Sequence, residues 1–212
     1  MLFLKTVNTP SWFTPGVEVD LCGHATLAAA HVFYRHLGYA GEKISFHSKS
    51  GPLYVSKKND GKLTLDFPAD SVTETGNIPA IESGLHIKPV AVYKGSTDYL
   101  VLLENQKAIE DLSPDFRTLS QISARGIITT SAGEGSDFVS RCFFPQSGID
   151  EDPVTGSAHT VLAPFWASKL GKEKLTAIQL SARRGYLECE IKADRVLISG
   201  HALTYLEGNA NI

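Results

Sequence analysis

Cysteine is scarce in this sequence, and its few cysteines are not spaced as metal ligands. Only three occur among 212 residues, Cys22, Cys142 and Cys189, and none belongs to a C-x-x-C pair. This odd, widely spaced set predicts neither a disulfide framework nor a zinc site, and it is typical of a reducing compartment. The metalloprotease pattern H-E-x-x-H is absent as well. We therefore expect a cytoplasmic protein without a metal site.

Long apolar runs and clusters of one charge sign are also missing. Twenty Lys and Arg residues against 23 Asp and Glu residues give a net charge of −3. The basic residues are dispersed, unlike those of nucleic-acid-binding proteins or polybasic membrane anchors. No apolar stretch approaches the roughly 20 residues of a membrane-spanning helix, and the apolar run at the start is too short for a signal peptide. The expected partner is a small molecule, neutral or anionic, and neither nucleic acid nor membrane.

An internal repeat organises the residues that are present. Gly23 and Gly156 each begin a largely apolar run that ends in Leu-Gly 15 residues later. Two further pairs of segments follow at offsets of 134 and 133 positions: residues 44–51 with 178–185, and residues 62–69 with 195–202. Three blocks in nearly one register indicate two copies of one α/β unit.

Each copy has the pattern of a buried helix followed by strands. Helices are expected over Gly23–Leu37 and Gly156–Leu170, because both segments are apolar nearly all round and both lead to a glycine suited to a C-cap. Pro164 is expected to kink the second helix. Residues 62–67 and 195–199 favour strands. We therefore predict an α+β fold of two similar lobes, each a curved, mostly antiparallel β-sheet wrapped around a central helix.

The two copies differ in what precedes the helix. The second has a lead-in of 67 residues from Pro89 to Gly156, whereas 22 residues precede Gly23. The difference predicts that a strand-helix-strand portion of the first copy is absent. We therefore assign residues 1–85 to an incomplete N-terminal lobe and residues 86–212 to a C-terminal lobe.

The densest polar signal is the segment 151–159, EDPVTGSAH, at the start of the second helix. Small residues at a helix start leave backbone N–H groups accessible, and these groups with the helix dipole favour an anion. Asp152, Thr155 and Ser157 are therefore candidates for an anion site. The same residue types are common helix caps, so the residues alone leave both interpretations open.

The repeat pairs this segment with residues 18–27, EVDLCGHATL. His24 corresponds in register to Ser157, which predicts that two helix starts face one cleft and hold a carboxylate between them. A histidine titrates near neutral pH, and an aspartate beside it completes a proton relay. Five other histidines lack such neighbours and are expected to be structural or surface residues: His31, His36, His47, His86 and His201.

These two segments, together with residues 12–15 (WFTP), resemble the PhzF-like proteins of the diaminopimelate epimerase-like fold. The resemblance runs from Trp12 to about Gly208. It implies two lobes with the active site between them, and isomerase chemistry by proton transfer on a small carboxylate-bearing substrate, without cofactor or metal. By position, it implies catalytic roles for His24, Asp152 and Ser157. The substrate-binding positions that we carry over are Gly23, Ala25, Thr155 and Gly156.

The sequence departs from the family at its N-terminal end. The family's proton-transferring glutamate lies in an N-x-S-E-T motif upstream of WFTP, and no such motif precedes Trp12. Glu18 lies inside a matched segment and is not its counterpart. We therefore expect an isomerase at the level of the family, and we leave open whether this chain turns over substrate.

Two alternatives to a PhzF-like isomerase remain. The absent glutamate motif favours a non-catalytic binding or scaffold protein of the same fold. A cofactor-independent racemase or epimerase needs a thiol at each helix start, whereas Cys22 has Thr155 as its mate in the repeat. The residues leave the substrate and the oligomeric state open, and a homodimer is the arrangement that we expect.

Overall fold

Five α-helices and fourteen strands lie within the part of the chain that the structure describes. The computed structural model describes residues 2–4, 10–13, 18–19, 22–48 and 51–208. Some positions of the motifs and the repeat lie outside these residues: Thr14, Pro15, Asp20, Leu21, Lys49 and Ser50. The helices are α1 (Gly23–Arg35), α2 (Pro79–Leu85), α3 (Gln106–Glu110), α4 (Phe116–Leu119) and α5 (Gly156–Leu170). The strands are β1 (Leu2–Leu4), β2 (Pro10–Phe13), β3 (Glu18–Val19), β4 (Lys43–Ser48), β5 (Gly51–Lys57), β6 (Leu63–Pro68), β7 (Thr73–Glu74), β8 (Ala91–Lys94), β9 (Asp98–Leu102), β10 (Gly126–Ala132), β11 (Phe138–Phe143), β12 (Lys174–Gln179), β13 (Gly185–Lys192) and β14 (Arg195–Gly200).

Eleven of these strands form one continuous sheet, in the order β4-β5-β6-β14-β13-β12-β11-β10-β9-β8-β7. All neighbours pair antiparallel except β9 with β10 and β11 with β12, which are parallel. The antiparallel pair β6–β14 joins the two halves, with Leu63 opposite Gly200 and Pro68 opposite Arg195. Strands β1, β2 and β3 form a separate sheet. The predicted α+β fold is confirmed.

The two long helices begin and end close to the predicted positions. Helix α5 spans the predicted range, and its C-cap Gly171 has the left-handed φ of 64° that glycine adopts without strain. It continues through Pro164, and the expected kink stays a prediction. Helix α1 ends two residues earlier than predicted, because the Leu37 N–H bonds the Val32 carbonyl five residues back and the helical turn opens there. Gly38 then follows with a φ of 65°.

Both long helices pack into the larger of two hydrophobic clusters, and the smaller cluster lies beneath α2, α3 and α4. Strand β7 pairs with β8, and Gly84 in α2 lies against Leu119 of α4. Both β7 and α2 precede residue 86 and pack with elements that follow it. The lobe boundary between residues 85 and 86 stays a prediction.

The starts of α1 and α5 touch each other through glycine backbone. A Cβ built on Gly23 would lie 3.0 Å from the Gly156 Cα, and one built on Gly156 would lie 3.1 Å from the Gly23 Cα. The fully buried ring of Phe67, in β6, lies beneath both glycines, at 3.5 and 3.6 Å from the same two positions. A side chain at either position would therefore push the two helix starts apart by a few tenths of an ångström.

We expect Gly23→Ala to destabilise the fold by roughly 1–3 kcal/mol, the usual cost of overpacking, because the added Cβ meets backbone that cannot rotate away. Urea unfolding measures the change. Gly200→Ala is the matched control, since its Cβ would meet only the Tyr186 carbonyl oxygen, at 3.7 Å. Equal stability of Gly23→Ala and wild type would show that the helix starts separate without cost.

Candidate functional site

The loop that leads into α5 is held by a buried amide on the neighbouring strand β12. Gln179 is fully buried, and its Nε2 donates to the Asp152 carbonyl at 2.7 Å while its Oε1 accepts from the Thr155 N–H at 2.8 Å. The Asp152 N–H bonds the Cys142 carbonyl at 3.0 Å. These bonds fix the backbone on both sides of the Asp152 carboxylate. Sequence analysis did not identify Gln179.

The Asp152 side chain is 8% exposed and accepts a hydrogen bond on Oδ2 from the Thr155 hydroxyl. Burial raises the pKa of this carboxyl above its usual range, because the charged form loses solvent. The Thr155 hydrogen bond and the positive charges of His24 and Arg125 oppose that rise. The outcome is a desolvated carboxylate, a stronger base than an aspartate in water.

His24 lies in the first turn of α1 and bridges to the loop before α5. Its Nδ1 lies 3.0 Å from the Val154 carbonyl oxygen, 130 positions away in sequence. A carbonyl only accepts, so Nδ1 carries a proton. Its Nε2 lies 3.4 Å from the Cys22 sulfur. Each ring nitrogen thus faces a hydrogen-bond partner.

This pair of partners stabilises the doubly protonated ring. The hydrogen bond to Cys22 is the main reason that the pKa of His24 rises to about 9, and desolvation only partly offsets it. The charge of Asp152 and the bond to Val154 act in the same direction. His24 is therefore an imidazolium at neutral pH. His159, in the same motif as Asp152, behaves oppositely: its complete burial lowers its pKa to about 4, so it stays neutral.

Ser157, in the first turn of α5, contacts an arginine that sequence analysis missed. Arg125 Nη1 donates to Ser157 Oγ at 3.2 Å, and Nε of the same guanidinium donates to Asp98 Oδ1. Asp98 begins β9 and Arg125 immediately precedes β10, and these two strands are parallel neighbours with Asp98 opposite Gly126. An acidic residue and a basic residue at the starts of two apolar strand segments are the sequence signal that could have identified this pair.

The other predicted site residues lie at the same helix starts. Gly23 and Gly156 form the backbone contact, and the Thr155 side chain is buried against Asp152. Ala25 is half-buried and packs on the larger cluster, so only its backbone N–H suits a ligand. Among the residues described, no three His, Cys, Asp or Glu side chains converge as a metal site requires. None of the described helices is long and apolar enough to cross a membrane.

Comparisons with known proteins agree with this geometry. The sequence pattern of the phenazine biosynthesis-like (PhzC-PhzF) proteins matches residues 11–208. A Pseudomonas aeruginosa protein named as an uncharacterized isomerase is 50% identical over 202 residues, which cover 95% of this chain and 77% of that protein. The crystal structure of a PhzF-family protein from Enterococcus faecalis superimposes with a TM-score of 0.92 at 40% identity, covering 100% of this chain and 81% of the other.

A more distant structural match shares the fold. A hydroxyproline epimerase from Agrobacterium vitis, solved with bound trans-4-hydroxy-L-proline, matches with a TM-score of 0.60 at 8% identity, over 93% of this chain and 68% of the other. At that identity the likeness shows the fold alone. The family pattern, the close relative and the close structural match all include both helix starts, and the chain therefore belongs to the PhzC/PhzF phenazine biosynthesis-like family.

Proposed function

We propose that this protein is a cofactor-independent isomerase that moves a proton on a small carboxylate-bearing substrate held between the starts of α1 and α5. The observation that carries the proposal is the backbone contact of Gly23 with Gly156. This contact brings the charged imidazole of His24, in the first turn of α1, near the desolvated carboxylate of Asp152, in the loop before α5.

The helix starts supply the binding site for the substrate carboxylate. The first N–H groups of a helix have no partner inside it, and the helix dipole adds about half a positive charge at that end. Two such ends meet here, at Gly23 and Gly156. They suit one shared anion, and the same N–H groups offset the negative charge of an enol-like intermediate.

Asp152 and His24 supply the two halves of the proton transfer. The Asp152 carboxylate accepts a proton from a substrate carbon, and the His24 imidazolium returns a proton elsewhere on the substrate. The proton on Asp152 then passes to His24, directly or through solvent, which restores the carboxylate and the imidazolium for the next turnover. Substrate and product then have the same composition, so no oxidant, reductant or metal is consumed. The Ser157 hydroxyl orients the substrate. Support comes from a relative named as an isomerase.

The two alternatives have less support. In the racemase alternative each helix start needs its own thiol. Thr155, which corresponds to Cys22 in the repeat, donates its hydroxyl proton to Asp152 instead of accepting a proton. A non-catalytic binding protein would use the same helix starts and differs only in proton exchange, which the next experiment measures. The cytoplasmic location and the homodimer stay predictions.

We expect the wild-type protein to exchange carbon-bound protons of small carboxylates for deuterium in D₂O, followed by proton NMR over a panel of such acids. Asp152→Asn should slow the exchange about 10²-fold or more, the usual contribution of a general base. Asp137→Asn is the control, because the Asp137 side chain is 14% exposed and bonds Lys172 and Thr176. Unchanged exchange in Asp152→Asn would place the chemistry elsewhere, and no exchange by the wild type would favour the non-catalytic alternative.

His24 should titrate near pH 9, observed as the pH dependence of its ring proton NMR shifts. Because its pKa in the folded protein exceeds the value of 6.5 in the unfolded chain, its contribution to stability is complete below pH 6.5 and is lost as the pH rises through about 9. Cys22→Ala removes the main cause of the raised pKa and should move the pKa of His24 toward 6.5. A wild-type titration near 6.5 would contradict the imidazolium role.

A further inference from the structure

We infer that Arg125, held by the buried Asp98, is a positioning residue that turns the Ser157 hydroxyl into a hydrogen-bond donor for the substrate carboxylate. The inference rests on the proposed function, because it assumes a carboxylate at the start of α5.

The first step is the ion pair between the Asp98 carboxylate and the Arg125 guanidinium. The Asp98 side chain is 2% exposed, and it accepts from Arg125 Nε on Oδ1 at 2.9 Å and from Nη2 on Oδ2. Such a fork-to-fork pair fixes the guanidinium in position and in plane. The ring of Phe144 lies 5.3 Å from the Arg125 Cζ, within the range of a cation–π contact. Arg125 therefore has little freedom to rotate.

The second step is the direction of the Ser157 proton. A hydroxyl has one proton to donate and two lone pairs. Ser157 Oγ accepts from Arg125 Nη1 at 3.2 Å, so its own proton must point elsewhere. Within the described part of the chain, Arg125 is the one partner found for this hydroxyl oxygen. The Ser157 O–H is thus directed by a fixed cation, and it is available to a ligand.

The third step is the charge of the arrangement. Asp98 neutralises Arg125 from the buried side, so the guanidinium acts mainly through its fixed N–H groups. A lysine carries the same charge but lacks the planar fork, so it cannot form the two-oxygen pair with Asp98 that fixes the donor to Ser157. The Arg125→Lys variant therefore shows whether Arg125 positions the Ser157 hydroxyl or only attracts an anion by its charge.

The test compares the binding of benzoate with that of benzamide, which has the same ring and no charge, by calorimetric titration of the full chain. We expect the wild type to prefer benzoate, and Arg125→Lys and Ser157→Ala each to reduce that preference about 10-fold, as expected for a bond to a charged group. The double variant should lose no more than either single variant, since both act through one hydroxyl. If Arg125 and Ser157 only stabilised the fold, each variant would weaken the binding of benzoate and of benzamide equally.

Arg195→Lys is the matched control. Arg195 is 32% exposed, compared with 34% for Arg125, and it pairs with Asp66 away from the helix starts. Ser157→Ala leaves the Asp98–Arg125 pair intact, so it carries the test if Arg125→Lys unfolds. Benzoate preference retained in either single variant would overturn the inference and leave the proposed function standing. A wild type without preference for benzoate would overturn both.

Discussion

The contact between two glycine backbones is the constraint on which the site depends. Gly23 and Gly156 bring two helix starts within van der Waals distance over the ring of Phe67. Each start carries a partial positive charge, so the pair repels and is stable only because the surrounding core holds it. That same repulsion favours any anion placed between the two ends. Packing thus creates a positive site from neutral backbone.

The chemistry combines contributions from distant parts of the chain. The junction of β6 with β14 joins the two halves of the sheet, and His24 lies within hydrogen-bond distance of the Val154 carbonyl, 130 positions away in sequence. Burial makes Asp152 more basic. The hydrogen-bonded partners of His24 keep the His24 ring charged. In the proton transfer that we propose, the two groups therefore begin in complementary states: Asp152 accepts a proton and His24 donates one.

Local signals in the sequence predicted the parts of the site that belong to the helices. Both long helices, Gly171 as a C-cap, and the register of Gly23 with Gly156 followed from apolar pattern, glycine position and the internal repeat. Gln179, Asp98 and Arg125 were missed because each lies at or next to the end of a strand, 24 to 32 positions from its partner. Only the strand order brings them to the helix starts, and that order has no local signature. The end of α1 was misplaced because a bond from Leu37 to Val32 opens the helix before the glycine.

The central claim is that the two helix starts form one anion site. Its most direct measurement is the backbone amide NMR spectrum of the ¹⁵N-labelled protein during titration with a small carboxylate such as benzoate. The account predicts that the amides of His24 and Ala25 shift together with those of Ser157 and Ala158, along one saturation curve. Shifts at one helix alone, or two curves with different midpoints, would contradict it.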